Sequence, residues 1–410
     1  MGLELPLVSA IVARLPDAKL QLAAFGGVVM PVALLIEAPV IMLLSASTAL
    51  CRDMASYAMV SRFMWRLGVA CSAVHALVAF SPLYDLVVVP LLGVPEPVRE
   101  PARLGLQMMV PWSIAIAYRR TQQGVLIRTG DSRAVSIGTA VRLIANIAVL
   151  SAALMWPKLQ GATIGALSVT FGVIAEALFV RARVRPAIAR GALPAIDGSR
   201  PPLDAAAFMR FYLPLSITPV IMFLGMPIST AAMTRMPLPI DSLAAWPAVT
   251  GLLLTLRSTG FAFNEVVVAL LDRPGAVEKL RAFASRLSLT LTALVLLAAI
   301  PMIGGWWFEH VSALPPDVIG LAIMALAAGV PLPALSAYQS LYQGTLVHAH
   351  ATRAVTESVA LQLLASSSVL LWCVRSQPGP GIICAVGGFT VGASIQMLWV
   401  WRRARRLKLA

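Results

Sequence analysis

Charged residues are scarce in this sequence. Asp, Glu, Lys and Arg together make up 12% of the 410 residues, whereas hydrophobic residues make up 59%. A soluble domain has about a quarter of its residues charged, and the mean hydropathy here is +0.84. The shortage of charge therefore excludes an ordinary soluble domain. Apolar runs of roughly 20 residues, enough to cross a bilayer as helix, follow one another along the chain, so we predict an all-α polytopic membrane protein.

Cysteine and histidine are also scarce, with four residues of each. The cysteines have no metal-ligand spacing, which argues against a disulfide framework and a zinc site. The sequence contains no Walker motif, nucleophile elbow, HExxH motif or dinucleotide fingerprint. We therefore expect no enzymatic activity, no cofactor and no metal, and no use of bound ATP by this chain.

Acidic residues are fewer than basic ones, 18 against 32, which gives a net charge of +14. The basic residues lie mostly in short loops, as in a membrane protein with a fixed orientation, so no nucleic-acid partner is expected. Alternate loops, with the adjoining end turns, hold 23 and 7 Lys and Arg. Arg119 and Arg120 are counted among the 23. The excess predicts a cytoplasmic linker and C-terminus in the inner, or plasma, membrane.

The sequence repeats itself at an offset of 220 residues. Residues 110–150 and 330–370 share fifteen of forty-one positions without a gap, which indicates a duplicated unit. With twelve spans, the copies form two parallel six-helix repeats. The predicted division is an N-terminal bundle, a cytoplasmic linker, a C-terminal bundle and a basic tail: 1–183, 184–206, 207–402 and 403–410.

The first span is short. Arg14 and Pro16 match Arg235 and Pro237 at offset 221, and the helix that leads into Arg235 begins near Arg210. The first helix is therefore truncated in this chain relative to the second copy. We expect an in-frame extension upstream of Met1; the alternative is a form that has lost half a helix.

Six ionisable residues lie inside predicted spans, where each costs several kcal/mol unless it faces a partner or a wet cavity. They are Glu37, Arg142, Glu176, Arg257, Glu265 and Glu357. Near the ends of their spans, Glu176 and Glu357 favour a role in holding helices together. For the deeper Glu37, Arg142 and Arg257, a helix contact and a solute contact remain alternatives.

Glu37 and Arg257 align at offset 220 if one residue is inserted in the first copy; otherwise Glu37 aligns with Ser258. We predict that both face a central cavity between the halves, with Arg142 near it, and that these side chains recognise an anion. The alternative is a static ion pair between two helices.

Several polar side chains are further candidates for contact with a solute. Tyr118, Gln122 and Gln123 of the first copy and Tyr338, Tyr342 and Gln343 of the second lie about one turn apart, and Asn264 precedes Glu265. Gln and Tyr within spans also bond neighbouring helices. Because Arg119 and Arg120 indicate a cytoplasmic surface nearby, the structural role is favoured for the Tyr and Gln residues.

Three segments resemble the progressive-ankylosis (ANK) type transporters, within the superfamily that includes the MATE multidrug exporters and lipid-linked oligosaccharide flippases. They are LAAFGGVVMPVALLIEAPVIMLLSASTALCRD, HALVAFSPLYDLVVVPLLGV and GATIGALSVTFGVIAEALFV. The resemblance implies a MATE-like, V-shaped pair of six-helix bundles that exports a solute. ANK-type members are associated with efflux of pyrophosphate, nucleotide or carboxylate anions.

Two six-helix bundles that rock against each other can expose a midplane site to each side in turn. The leading hypothesis is therefore a secondary active exporter, working by alternating access, for a small organic or phosphorylated anion. We expect a monomer in the lipid bilayer, with a proton or sodium as the candidate coupling ion. The alternatives are cation-coupled multidrug extrusion, lipid-precursor flipping and a non-transport scaffold.

Overall fold

A computed structural model describes residues 4–155, 160–195, 203–349 and 351–406, and nearly all of these residues are helical. The first copy contains α1 Glu4–Val12, α2 Ala18–Leu50, α3 Met54–Phe80, α4 Glu96–Met108, α5 Val110–Arg128, α6 Arg133–Met155 and α7 Gly161–Ala189. The second contains α8 Ala205–Met233, α9 Pro239–Leu270, α10 Ala276–Ala299, α11 Pro316–Ala328, α12 Leu332–His348, α13 Thr352–Ser376 and α14 Gly381–Arg406. Parts of the predicted linker and tail lie outside the described residues.

Ten helical stretches in the described part of the chain are long and apolar enough to cross a bilayer. The stretch formed by α4 and α5 is not among them, although it corresponds to α11 and α12, which are. It carries several arginines, which lower its hydropathy. The protein is an integral, multi-pass membrane protein, and the predicted all-α polytopic class is confirmed. The short α1 has nine residues.

The helices form two compact units. The N-unit comprises Val28–Leu91 and Arg99–Leu224, and the C-unit comprises Met1–Gly27, Leu92–Val98 and Gly225–Ala410. Each unit therefore draws on residues from both copies, since α8 begins in the N-unit and ends in the C-unit. The predicted boundaries of the repeat along the chain stay a prediction.

The duplication extends to irregular local structures. Wide π-helical turns occur at Val87–Leu91 and Trp307–Val311, which are 220 residues apart. Two residues after each turn the backbone has a positive φ, 67° at Gly93 and 52° at Ala313. Glycine adopts this conformation without steric cost, whereas alanine does not. The second copy thus keeps the same backbone path without the glycine.

A single inserted residue distinguishes α2 from α9. Phe25–Val29 forms a π-helical turn within α2, whereas α9 is one continuous α-helix. A π-turn encloses one residue more than an α-turn, which accounts for the change of offset from 221 to 220. Beyond the turn the copies match, because Gly124 lies against Leu44 and Gly344 lies against Asn264. With the additional residue placed in this π-turn, Glu37 aligns with Arg257 and not with Ser258.

Gly124 allows α5 to approach α2 closely, as small residues do between membrane helices. A Cβ atom at position 124 would lie 1.9 Å from Ser47 Oγ and 2.4 Å from the Leu44 carbonyl oxygen. We expect Gly124→Ala to lower the apparent Tm of the purified protein, with a loss of about 3 kcal/mol from overpacking. The matched control is Gly387→Ala, because a Cβ there meets nothing within 4 Å. Equal Tm values for the two variants would contradict this packing.

Candidate functional site

A cluster of polar side chains lies inside the N-unit, where α5, α6 and α7 meet. Glu176 is its centre. Arg119 Nη1 donates to Glu176 Oε2 over 2.7 Å, and Gln123 Nε2 donates to Glu176 Oε1 over 2.8 Å. Arg142 Nε lies 3.6 Å from Glu176 Oε2. The side chains of Arg119 and Glu176 are 2% and 0% exposed, so this ion pair is removed from water.

Helical spacing and small residues bring these groups together. Arg119 and Gln123 are four residues apart and share one face of α5, as Arg142 and Asn146 do on α6. Gly172 of α7 leaves room for the polar side chains of α6, because a Cβ there would lie 1.7 Å from Asn146 Oδ1 and 3.1 Å from Arg142 Cγ. A side chain at position 172 would displace them.

Two further charges belong to the cluster. Glu37 of α2 is buried, and its charge acts on both Arg119 and Arg120. Arg120 Nε is buried without a hydrogen-bond partner, and Arg120 forms no ion pair with any carboxylate in the described ranges. We call Glu37, Arg119, Arg120, Arg142 and Glu176 the charged cluster. With both carboxylates ionised, three arginines against two glutamates leave one positive charge inside the N-unit.

Some predictions about these residues are wrong. Arg119 does not lie in a loop or at a surface of the protein, because it is 1% exposed and lies midway along α5, whereas the next residue, Arg120, is half-buried. The charge of Arg119 is stabilised there by Glu176, which is 57 residues away in sequence. Glu176 likewise lies well inside α7 and not near an end. By contrast, Glu357 is partly exposed and pairs with Arg403 and Arg353, as expected for a residue that holds helices together.

The C-unit has a neutral counterpart of this cluster. Gln339 and Gln396 occupy the positions of Arg119 and Glu176 at offset 220, and Gln339 Nε2 donates to Gln396 Oε1 over 3.0 Å. Gln396 Nε2 donates to Ser358 Oγ over 3.4 Å. Gly392 corresponds to Gly172, and a Cβ there would lie 2.1 Å from Ser366 Oγ. Both copies thus bury a polar pair at the same place, but only the first copy uses charges.

Arg257 is the buried cation of the C-unit. It is 8% exposed, and the guanidinium carbon lies 5.0 Å from the centroid of the Phe261 ring and 5.1 Å from that of Phe389. Its Nε has no hydrogen-bond partner, and no carboxylate of the described residues pairs with it. Aromatic faces stabilise a cation by about 0.5–2 kcal/mol, which is less than the cost of burying an unpaired charge. An anion would offset the remainder.

The other predicted site residues lie in varied surroundings. Gln123 and Arg142 belong to the cluster around Glu176. Tyr118 is half-buried, 5.9 Å from the Trp65 ring, and Tyr338 packs on the apolar core around Phe263. Asn264 Nδ2 donates to the Ser340 carbonyl over 3.3 Å. Gln343 is half-buried, and Glu265 is exposed.

The interpretation of the sequence missed Arg119 and Arg120 because two adjacent arginines usually mark the end of a span. A signal was nevertheless present in the repeat. Position 119 and position 339 are both polar within a span, and so are positions 176 and 396. Polar residues kept at equivalent positions of two copies indicate the interior of a bundle, where they can find partners.

No family model matches the sequence, and no curated protein matches it. Solved structures do. An inward-facing multidrug resistance MATE family transporter of the MOP superfamily superposes with a TM-score of 0.74 and 15% identity, covering 100% of this chain and 96% of that chain. The lipid II flippase MurJ in an inward closed conformation gives 0.71 and 13%, covering 98% and 85%. This chain has a MATE-like fold.

A third structure with the MATE-like fold is a MOP superfamily transporter from Pyrococcus furiosus, with a TM-score of 0.58 and 14% identity over 99% of this chain and 95% of that chain. The binding pocket of that transporter is reported to have a reversed polarity, which suggests a different function for it. Identities this low establish the fold alone. The MATE-like fold that the resemblance implied is therefore confirmed. A fold does not determine the solute, which depends on the residues of this chain.

Proposed function

We propose that this protein is a secondary active exporter that works by alternating access and carries a small organic or phosphorylated anion. One observation carries the proposal: the charged cluster and Arg257 together hold four arginines and only two glutamates. The charged cluster holds one more arginine than glutamate, and Arg257 is buried without a carboxylate partner among the described residues. An anion is the ligand that compensates such charges.

A charge within the hydrocarbon region costs several kcal/mol unless it has a partner or faces water. Arg257 is 8% exposed and Arg120 is half-buried, and the Nε atom of each is buried without a hydrogen-bond partner, so each carries part of this cost. Guanidinium groups bind carboxylates and phosphates through paired hydrogen bonds, which suits these anions better than other solutes. The same cations disfavour a cationic drug as the main solute.

The fold supports the transport part of the proposal. One MATE family transporter with this fold is described in an inward-facing conformation, and an outward-facing one matches with a TM-score of 0.60 and 16% identity. Within the wider superfamily, the ANK type fits the buried arginines best, because its members are associated with efflux of pyrophosphate, nucleotide and carboxylate anions. We therefore place these three anions first among the candidates, with a proton or sodium as coupling ion.

Lipid-precursor flipping is the second candidate. The fold of MurJ, described as a lipid II flippase, matches with a TM-score of 0.71, and a lipid-linked pyrophosphate would also need buried cations. The two candidates differ in the solubility of the cargo. A water-soluble anion accumulates in the medium, whereas a lipid-linked one stays in the membrane.

The test compares metabolites in the medium of cells that produce the wild-type protein or Arg120→Gln. This variant removes the one charge of the cluster that has no ion pair among the described residues, so folding is expected to be kept. We expect one or more anions to accumulate outside wild-type cells only. Glu357→Gln, which changes a partly exposed charge outside the cluster, is the matched control. Identical media from wild-type cells and cells without the protein would reject anion export.

Orientation is a separate prediction. Without Arg119 and Arg120 the counts of Lys and Arg are 21 against 7, so the excess still predicts a cytoplasmic linker. In a Cys-free background, Ala192→Cys should react with a membrane-impermeant thiol reagent only after the cells are opened. Ser376→Cys, at the exposed end of α13 on the predicted outer side, should react in intact cells. The reverse pattern would invert the topology.

A further inference from the structure

An apolar groove opens between α9 and α10 of the C-unit. Its volume is about 720 Å³, and its lining includes Thr259, Phe263 and Phe283, with Arg273 and Lys279 at one end. On α9 the lining runs from Thr259 to Leu270, a rise of about 17 Å at 1.5 Å per residue. The groove is therefore long and mostly apolar, with cations at a single end.

At the equivalent place in the first copy, aromatic side chains of α8 pack against α2 and α3. Phe63 is the counterpart of Phe283 at offset 220, and its ring lies 4.7 Å from Phe208 and 5.0 Å from Tyr212 of α8. The Tyr212 hydroxyl donates to the carbonyl of Pro39, the counterpart of Thr259. Phe208 and Tyr212 are almost completely buried. In the first copy, side chains of α8 therefore cover the place where the groove lies open in the second.

The two copies differ in charge at the end where the helices turn. In the first copy Asp53 caps α3, and Asp53 is the counterpart of Arg273. In the second copy Arg273 and Lys279 are exposed beside the groove. The neighbouring Asp272 lies 3.0 Å from His348 Nε2, and neither Asp272 nor Glu278 lines the groove. The charged side chains that line this end of the groove are therefore both cations.

We propose that this groove binds one anionic phospholipid, with an acyl chain along α9 and α10 and the phosphate at Arg273 and Lys279. The chain takes the place that Phe208 and Tyr212 have in the first copy. The charge pattern selects a lipid over an apolar helix, because a helix would leave both cations without a counter-charge. The loop after α9 is on the predicted cytoplasmic side, where the leaflet is rich in anionic lipids. The site does not depend on which solute is exported.

The first test is native mass spectrometry of the full-length protein with added phosphatidylglycerol or phosphatidylcholine. We expect the wild type to retain one phosphatidylglycerol and to prefer it to phosphatidylcholine. Arg273→Gln with Lys279→Gln should weaken retention roughly tenfold or more, whereas Arg62→Gln with Arg66→Gln, exposed cations of the equivalent helix α3, should not. Equal retention by both double variants overturns the proposal.

The second test identifies the occupant in cells. Ala262 lines the groove and is exposed, so a photoreactive benzoylphenylalanine at this position reports what lies there. A lipid-sized mass adduct after irradiation supports the proposal. Cross-linking to a polypeptide instead overturns it and identifies a helix as the occupant. Neither readout requires transport, so this proposal and anion export can fail separately.

Discussion

Replacing Glu176 by Gln is expected to destabilise the protein by about 3–5 kcal/mol, because it leaves Arg119 buried without its carboxylate. Replacing Arg119 and Glu176 together by Gln is expected to recover most of that loss. The second copy supports this expectation, since Gln339 and Gln396 form a direct hydrogen bond at the same positions. The recovery is incomplete, because Arg142 also loses a neighbouring carboxylate.

The measurement is the apparent Tm of the two single variants and the double variant after purification in detergent, combined as a double-mutant cycle. Glu357→Gln is the matched control, because the Glu357–Arg403 pair is partly exposed and such pairs contribute about 0–1 kcal/mol. If the losses of the single variants simply add in the double variant, the two copies are not interchangeable at this position.

The double variant also separates stability from charge. It removes one arginine and one glutamate, so the cluster keeps an excess of one positive charge. Export of an anion should therefore persist in the double variant at a reduced rate and be lost in Arg120→Gln. Export by the double variant but not by Arg120→Gln would show that transport requires the net positive charge. Loss of export in the double variant would show that it requires the Arg119–Glu176 ion pair.

Duplication and helix content could be predicted from the sequence because both depend on patterns along the chain. The alignment of Glu37 with Arg257 could also be predicted, although the π-helical turn at Phe25–Val29 that justifies the inserted residue is visible only in the backbone. The partners of the charges could not be predicted. Arg119 of α5 pairs with Glu176 of α7, which is 57 residues away in the sequence. Counting Lys and Arg along the chain assigns the same arginine to a loop.

The equivalent positions 37 and 257 illustrate why the partners matter. Both side chains are buried, yet Glu37 lies near the arginines of α5, whereas Arg257 lies between Phe261 and Phe389. At positions 119 and 339, the first copy has a charge and the second a neutral amide. The second copy thus has Arg257 where the first has Glu37, and Gln339 where the first has Arg119. Sequence similarity between the copies does not reveal this exchange, because it depends on packing between helices.

Arg257→Gln is expected to abolish export of an anion while raising the apparent Tm. The two effects have one cause. Arg257 has no carboxylate partner among the described residues, so its buried charge costs stability and has no ion pair to lose. A neutral glutamine removes this cost but also the charge that attracts the anion. By contrast, Glu176→Gln is expected to lower the apparent Tm, because it breaks the ion pair with Arg119.

Arg257→Lys is the matched variant, because it keeps the charge and loses the planar group between the two phenylalanine rings. We expect it to export at a reduced rate, since a lysine cannot make the paired hydrogen bonds of a guanidinium. Export is measured as the anion that wild-type cells release, normalised to the amount of protein in the membrane. Wild-type export by Arg257→Gln at normal protein levels would remove Arg257 from the site, and a lower Tm for this variant would show that the arginine holds the C-unit together.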